Sequence, residues 1–293
     1  MNRKTVLMLF FCLMLTACGH NRQEMRDALA TDTVGFDVSE ADTSFSEFSD
    51  ADTLVMDREL ADMALPKSVD ELFDEFVFTF DQSNRLQRQR TQFPLSIEEV
   101  DGDVHFLQRR EWKHQSLFPD KESCTVLWNA VSQMDLTEDV TIQEATVEQI
   151  NLHERIVKAY DFTCDTISRQ WHLVGLRKHT FEQSPLQDFL DFYRLWVADS
   201  SYQRQHVQEP LLFILTDENA ENGTIKGTID VDQWFEFAPE MPQDVITNIR
   251  YGQDYDNRNC MILQIRGINN GLQNLLTFRR DGRGSWRLTT YEN

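Results

Sequence analysis

Three side chains late in the chain have the types and spacing for proton-transfer chemistry. Asp199, Tyr202 and His206 recur at intervals of three and four, so on a helix they share one face. A carboxylate beside a tyrosine hydroxyl can enolise a carbonyl compound: one group removes a proton and the other stabilises the resulting oxyanion. Tyr193, Trp196, Ser200 and Gln203 lie on the same stretch and are candidates to line a pocket beside that face. The alternative is a solvated helix face with a partly buried tyrosine, and it is favoured over catalysis. No metal site is expected, since the seven histidines form no HxH, HExxH or mixed His/Cys cluster at ligand spacing. No phosphate-cradling glycine loop or GxSxG elbow occurs, and Asp217–Glu221 lacks calcium-loop spacing. No cofactor is implied.

A second kind of chemistry sits at the N-terminus. Arg3-Lys4 precedes an apolar run from Thr5 to Met14, and Leu15-Thr16-Ala17-Cys18 follows. The run is too short to remain as a membrane-spanning helix. It resembles the signal and lipobox of bacterial lipoproteins, which implies cleavage after residue 17 and lipidation of Cys18. Removing Arg3 and Lys4 leaves 26 basic against 49 acidic residues, a net charge of −23. Such a chain is repelled by phosphate backbones, so nucleic acid is not an expected partner. The lipid rather than the protein surface would then hold it at a membrane, on the periplasmic face of the outer membrane, with surface exposure as the alternative.

Cys124, Cys164 and Cys260 lie beyond the lipobox. Export permits a disulfide, for which Cys124–Cys164 is the candidate pair; three buried thiols is the equal alternative.

Residues 18–66 read as a lipidated, solvated linker. From His20 to Pro66 there are twelve Asp/Glu against three Arg and no sustained apolar period. Folded sequence follows in two copies, expected at 67–182 and 183–293. Ser68-Val69-Asp70-Glu71 and Ser184-Pro185-Leu186-Gln187 both have capping-box spacing. At an offset of 116, Phe73, Phe76 and Phe80 meet Phe189, Phe192 and Trp196, Gln87-Arg88-Gln89 meets Gln203-Arg204-Gln205, and Pro94-Leu95 meets Pro210-Leu211. Trp171-x-Leu173 meets Trp286-x-Leu288 at 115. Ordered self-similarity of this kind marks a repeat.

Each copy opens with a helix, aromatic on one face, expected to stop before Pro94 or Pro210. Strands are predicted at 104–110, 125–132, 140–151, 156–163 and 169–179, then at 211–215, 245–251, 261–267, 275–280 and 286–291. Asn222-Gly223 and Asp281-Gly282 read as hairpin turns, and 230–237 as a short helical insert. Arg88, Arg204 and their flanking glutamines are expected to tie each helix end to its sheet. Trp234-Phe235-x-Phe237 is either core or an exposed partner-binding patch.

A helix followed by an antiparallel meander makes an α+β domain. The repeated plan, with Gln-Arg-Gln late in the first helix and Trp-x-Leu in the last strand, resembles the cone-shaped fold of nuclear transport factor two, ketosteroid isomerase and polyketide-cyclase-like proteins. The tandem form is similar to a family of uncharacterised gut-bacterial lipoproteins. The resemblance implies two cones, each a helix packed on a curved sheet. No catalytic motif of that fold carries over, so binding of a small apolar ligand or an envelope partner protein is favoured. An isomerase- or cyclase-like enzyme using Asp199 and Tyr202 is the alternative, and a purely structural envelope component is another.

Overall fold

The computed structural model describes residues 72–217 and 223–293. Cys18, the linker, the capping box at Ser68–Glu71 and Asn222 lie outside them.

The aromatic face of each copy does form a helix, but neither helix is continuous. Helix α1 (Phe73–Gln82) is followed by α2 (Asn84–Arg90), and in the second copy α3 (Gln187–Ala198) by α4 (Ser200–Gln205). Ser83 and Asp199 separate the pairs in extended conformation. Both are good N-cap residues, whose side-chain oxygens satisfy N–H groups that an interrupted helix leaves open. Ser83 Oγ accepts from Leu86 N at 3.1 Å. Ser184 does not cap α3. Its hydroxyl accepts from Leu186 N two residues on, and Leu186 is the N-cap.

The prolines do not stop the helices. They lie inside strands β1 (Thr91–Glu98) and β7 (Val207–Thr216), each after a cis peptide bond. Proline has no N–H to give to a ladder, and in both strands the register shifts around it. The other first-half strands are β2 (Val104–Leu107), β3 (Ser123–Trp128), β4 (Glu144–Asn151), β5 (Ile156–Cys164) and β6 (Trp171–Thr180). The second half adds β8 (Thr224–Ile229), helix α5 (Val231–Phe237), β9 (Val245–Arg250), β10 (Cys260–Gly267), β11 (Gln273–Arg280) and β12 (Trp286–Glu292).

The sheets are mixed rather than purely antiparallel. β1 runs parallel to β6, and β7 parallel to β12. In each half these are the first and last strands, so no hairpin joins them and nothing local imposes opposite directions.

Strand order is β2-β1-β6-β5-β4-β9 in one sheet and β3-β10-β11-β12-β7-β8 in the other. Each half therefore lends one strand to the other's sheet. The exchange is symmetric. Glu148 of β4 pairs with Asn248 of β9, and the repeat-equivalent Gln264 of β10 pairs with Val126 of β3. At the centre, Thr125 and Thr247 hold each other reciprocally. The N–H of each donates to the other's Oγ1 at 2.8 Å, and each hydroxyl donates to the other's carbonyl at 2.6 and 3.0 Å. Arg266 on β10 also reaches Asp74 at the start of α1 (2.7 Å), and Tyr251 bonds to both.

Both interiors are filled by aromatic rings. Phe73, Phe76 and Phe80 meet Phe162 edge-on at 5.3–5.9 Å between centroids. Phe189, Phe192 and Trp196 meet the equivalent Phe278 at 5.1–5.8 Å. Each such pair adds about 0.5–1.5 kcal/mol beyond its buried area.

Candidate functional site

The repeat shows where the halves differ. In the first half, the irregular segment from Trp112 to Pro119 lies against the end of α1–α2 and the sheet. Gln87, fully buried, grips its backbone. Oε1 accepts from Gln115 N at 2.9 Å, and Nε2 donates to Gln115 O at 2.7 Å. Asp81 Oδ1 accepts from Leu117 N (2.5 Å) and Phe118 N (3.4 Å), while Oδ2 pairs with Lys121 at 2.8 Å. Gln149 Nε2 donates to the carbonyls of Ser116 (2.7 Å) and Leu117 (2.9 Å). Lys158 donates to Gln115 Oε1 at 2.9 Å. Burial holds the Lys158 ammonium below its ordinary pKa, and Lys178 adds to the effect. Trp112, Leu117 and Phe118 complete the plug by entering the core.

At an offset of 116, these four gripping residues become Val197, Gln203, Ile265 and Asn274 in the second half. The strand pairing confirms the equivalence. Gln149 faces Lys158 across β4–β5, as Ile265 faces Asn274 across β10–β11. All four line an open cleft of about 1150 Å³. Thr125 and Tyr291 line it from the same sheet as Ile265 and Asn274, Thr247 from β9 of the other sheet, and the run from Phe237 to Val245 lines it as well. Tyr291 Oη donates to Asn274 Oδ1 at 2.7 Å. Among the described residues, the Gln203 side chain makes no hydrogen bond within the protein. The carboxylates of Asp120, Glu122, Glu240 and Asp244 stand at this cleft, and its lining includes no Lys or Arg. The Ser123 hydroxyl and the Glu122 N–H hold Asp120 below the usual carboxylate range.

The residues that suggested proton transfer have other partners. Asp199 is exposed and caps α4, with Oδ1 accepting from Ser201 N (2.8 Å) and Tyr202 N (3.1 Å). The Tyr202 ring stacks on His206 at 4.0 Å, and His206 Nδ1 lies 2.8 Å from Tyr202 O. Tyr193 is buried and donates to Pro242 O at 3.1 Å; desolvation raises its phenol pKa far above the ordinary value. Trp196 is core and Ser200 is exposed. Of the expected pocket residues, only Gln203 lines the cleft.

Arg204 turns to Asp232 (2.6 Å) and the Phe235 ring rather than to the sheet. The aromatic cluster divides between the two expectations: Trp234 is buried, whereas Phe237 is exposed at the cleft. The expected Cys124–Cys164 bridge is not formed: both thiols sit in the first core without pairing. Cys124, Cys164 and Cys260 are free and buried. Among the described residues, no three His, Cys, Asp or Glu side chains converge on a metal-sized space, and no helix is long and apolar enough to cross a membrane. Asp81, Gln149 and Lys158 did not stand out in the sequence. Their only signal is the departure from the second copy at an offset of 116.

Residues 51–293 match the family described as a domain of unknown function, DUF4348, and the chain belongs to that family. It is also similar to a crystal structure of an NTF2-like protein from Bacteroides fragilis NCTC 9343. The TM-score is 0.71 and the identity 34%, over 78% of this chain and 98% of that one. The halves are therefore tandem NTF2-like units. No curated protein matches the chain.

Proposed function

We propose that this DUF4348 protein is a lipid-anchored, non-enzymatic binding protein of the cell envelope, and that it binds in the cleft of its second half. One observation carries this reading. The first half fills the space beside Gln87 with its own Trp112–Pro119 segment, while the equivalent space beside Gln203 stays open at about 1150 Å³. The lipobox ending at Cys18 and the acidic linker support attachment at the outer membrane, facing the periplasm. A role without turnover is supported by Asp199, whose carboxylate is engaged in capping α4, and by Tyr202 and His206, which stack on one another. The unbonded amide of Gln203 favours a partner protein over a small apolar ligand, which would bury it without hydrogen bonds.

Two measurements test this. Metabolic labelling with palmitate should mark the full chain and fail on Cys18→Ala; equal labelling of the variant would remove the anchor. Native mass spectrometry of the chain from expressing cells should show an adduct that disappears when Val197→Trp fills the cleft. An adduct that survives that change would place binding elsewhere.

A further inference from the structure

The first half is, in effect, a peptide complex with itself. A glutamine on the last turn of its helix pair binds one residue's N–H and C=O together. Aspartate and glutamine side chains take the next backbone groups, and apolar side chains enter the core. Recognition through the backbone N–H and C=O requires a peptide. The second half keeps the glutamine and an open cleft: its own β8–β9 connection sends Trp234 into the core and borders the cleft from Phe237 to Val245, but no residue of it bonds the Gln203 amide.

We propose that the second cleft takes a peptide segment of a partner protein bearing Lys or Arg, gripped through its backbone by Gln203 as Gln87 grips Gln115. This rests on the cleft being the binding site. The substitutions between the halves set the preference. Asp81 and Gln149, which take backbone groups in the first half, become Val197 and Ile265, so an apolar side chain of the incoming peptide is favoured beside Gln203. Lys158 becomes Asn274, which removes the positive charge from this wall. The cleft is then bordered by Asp120, Glu122 and Glu240, with Asp244 at its edge against His153 (2.9 Å), and no Lys or Arg lines it, the complement of a basic segment. The same field disfavours the chain's own linker, with its twelve Asp/Glu against three Arg. It also disfavours a second copy of a chain carrying a net −23.

A random-peptide phage library panned on the full chain in mild detergent provides the probe. Enriched sequences should combine Lys or Arg with an apolar residue. Affinity of the synthesised winner should fall about tenfold in Gln203→Ala, the equivalent of two modest hydrogen bonds. Gln203→Glu, which keeps size and helix but loses the donor, should also weaken it. Glu240→Lys with Asp244→Lys on the exposed rim should weaken it further, and added salt should weaken the wild type more than this variant. No enrichment, winners lacking basic residues, or winners indifferent to Gln203 would overturn the proposal. The outcomes separate it from the reading beneath it. Winners whose binding survives Val197→Trp would remove the cleft as the site. A small-molecule adduct lost in Val197→Trp, with no peptide enriched, would keep the site and remove the peptide.

Discussion

Gln87 and Gln203 allow the two halves to be compared with one substitution. Both sit at the same repeat position on short helices, so Gln→Ala changes helix propensity by the same few tenths of a kcal/mol in each. Among the described residues, the Gln87 side chain has a partner and the Gln203 side chain has none. Its loss removes two hydrogen bonds to Gln115, at 2.9 and 2.7 Å. At about 0.5–1.5 kcal/mol each, Gln87→Ala should cost about 1–3 kcal/mol, while Gln203→Ala should stay within about 0.5 kcal/mol of wild type. Urea unfolding of the full chain, followed by tryptophan fluorescence, reads the difference as separated midpoints. The exchanged strands should make the folded part unfold as one unit, so a single transition is expected. In thermal melts the separation should be about 2–4 °C for each kcal/mol. Equal costs at the two positions would refute the view that one glutamine holds a peptide and the other holds none.

Other perturbations test the remaining assignments. Asp199→Ala should cost about 1 kcal/mol and Asp199→Asn almost nothing, because asparagine caps a helix as well as aspartate does; matching losses in thermal melts would contradict the cap. Thr125→Val and Thr247→Val should each cost about 1–3 kcal/mol and be nearly equal, since each leaves the other residue's backbone N–H and C=O without a partner. Denaturation of the double variant should show non-additivity of about 0.5–3 kcal/mol, because the two threonines touch and share one reciprocal network. Glu148 is buried, and desolvation raises its pKa above the ordinary 4.5 despite the Asn248 amide and Arg250 nearby. Its protonated form therefore favours the fold at pH below 4.5, and that contribution is lost as pH rises through the folded-state value. Glu148→Gln, which installs the residue found at the equivalent Gln264, should remove this loss. Denaturation midpoints of variant and wild type should then diverge as pH rises above that window and converge below it; a constant offset would contradict the assignment.

The repeat itself was legible in the sequence. The offset of 116 paired Phe73, Phe76 and Phe80 with Phe189, Phe192 and Trp196, and those side chains are the two cores. The α+β class, most strands and the helix over 231–237 followed from periodicity and turn chemistry. Local signals also existed for the helix breaks, since Ser83 and Asp199 are N-cap types, but the unbroken 3–4 spacing across them masked the interruption. What the sequence could not carry is which strand edges meet. Period-2 patterning tells which face of a strand is buried, and it is the same whether β3 joins its own half or, across more than a hundred residues, β10. The candidate site depends on tertiary structure for the same reason. The Trp112–Pro119 segment has no period at all, and a glutamine that binds a backbone looks in sequence like one that faces water. Only the folded chain decides that Gln87 is satisfied by its own segment and Gln203 by none, because hydrogen bonding to main-chain groups leaves no mark on the side chains of the residues that are bound.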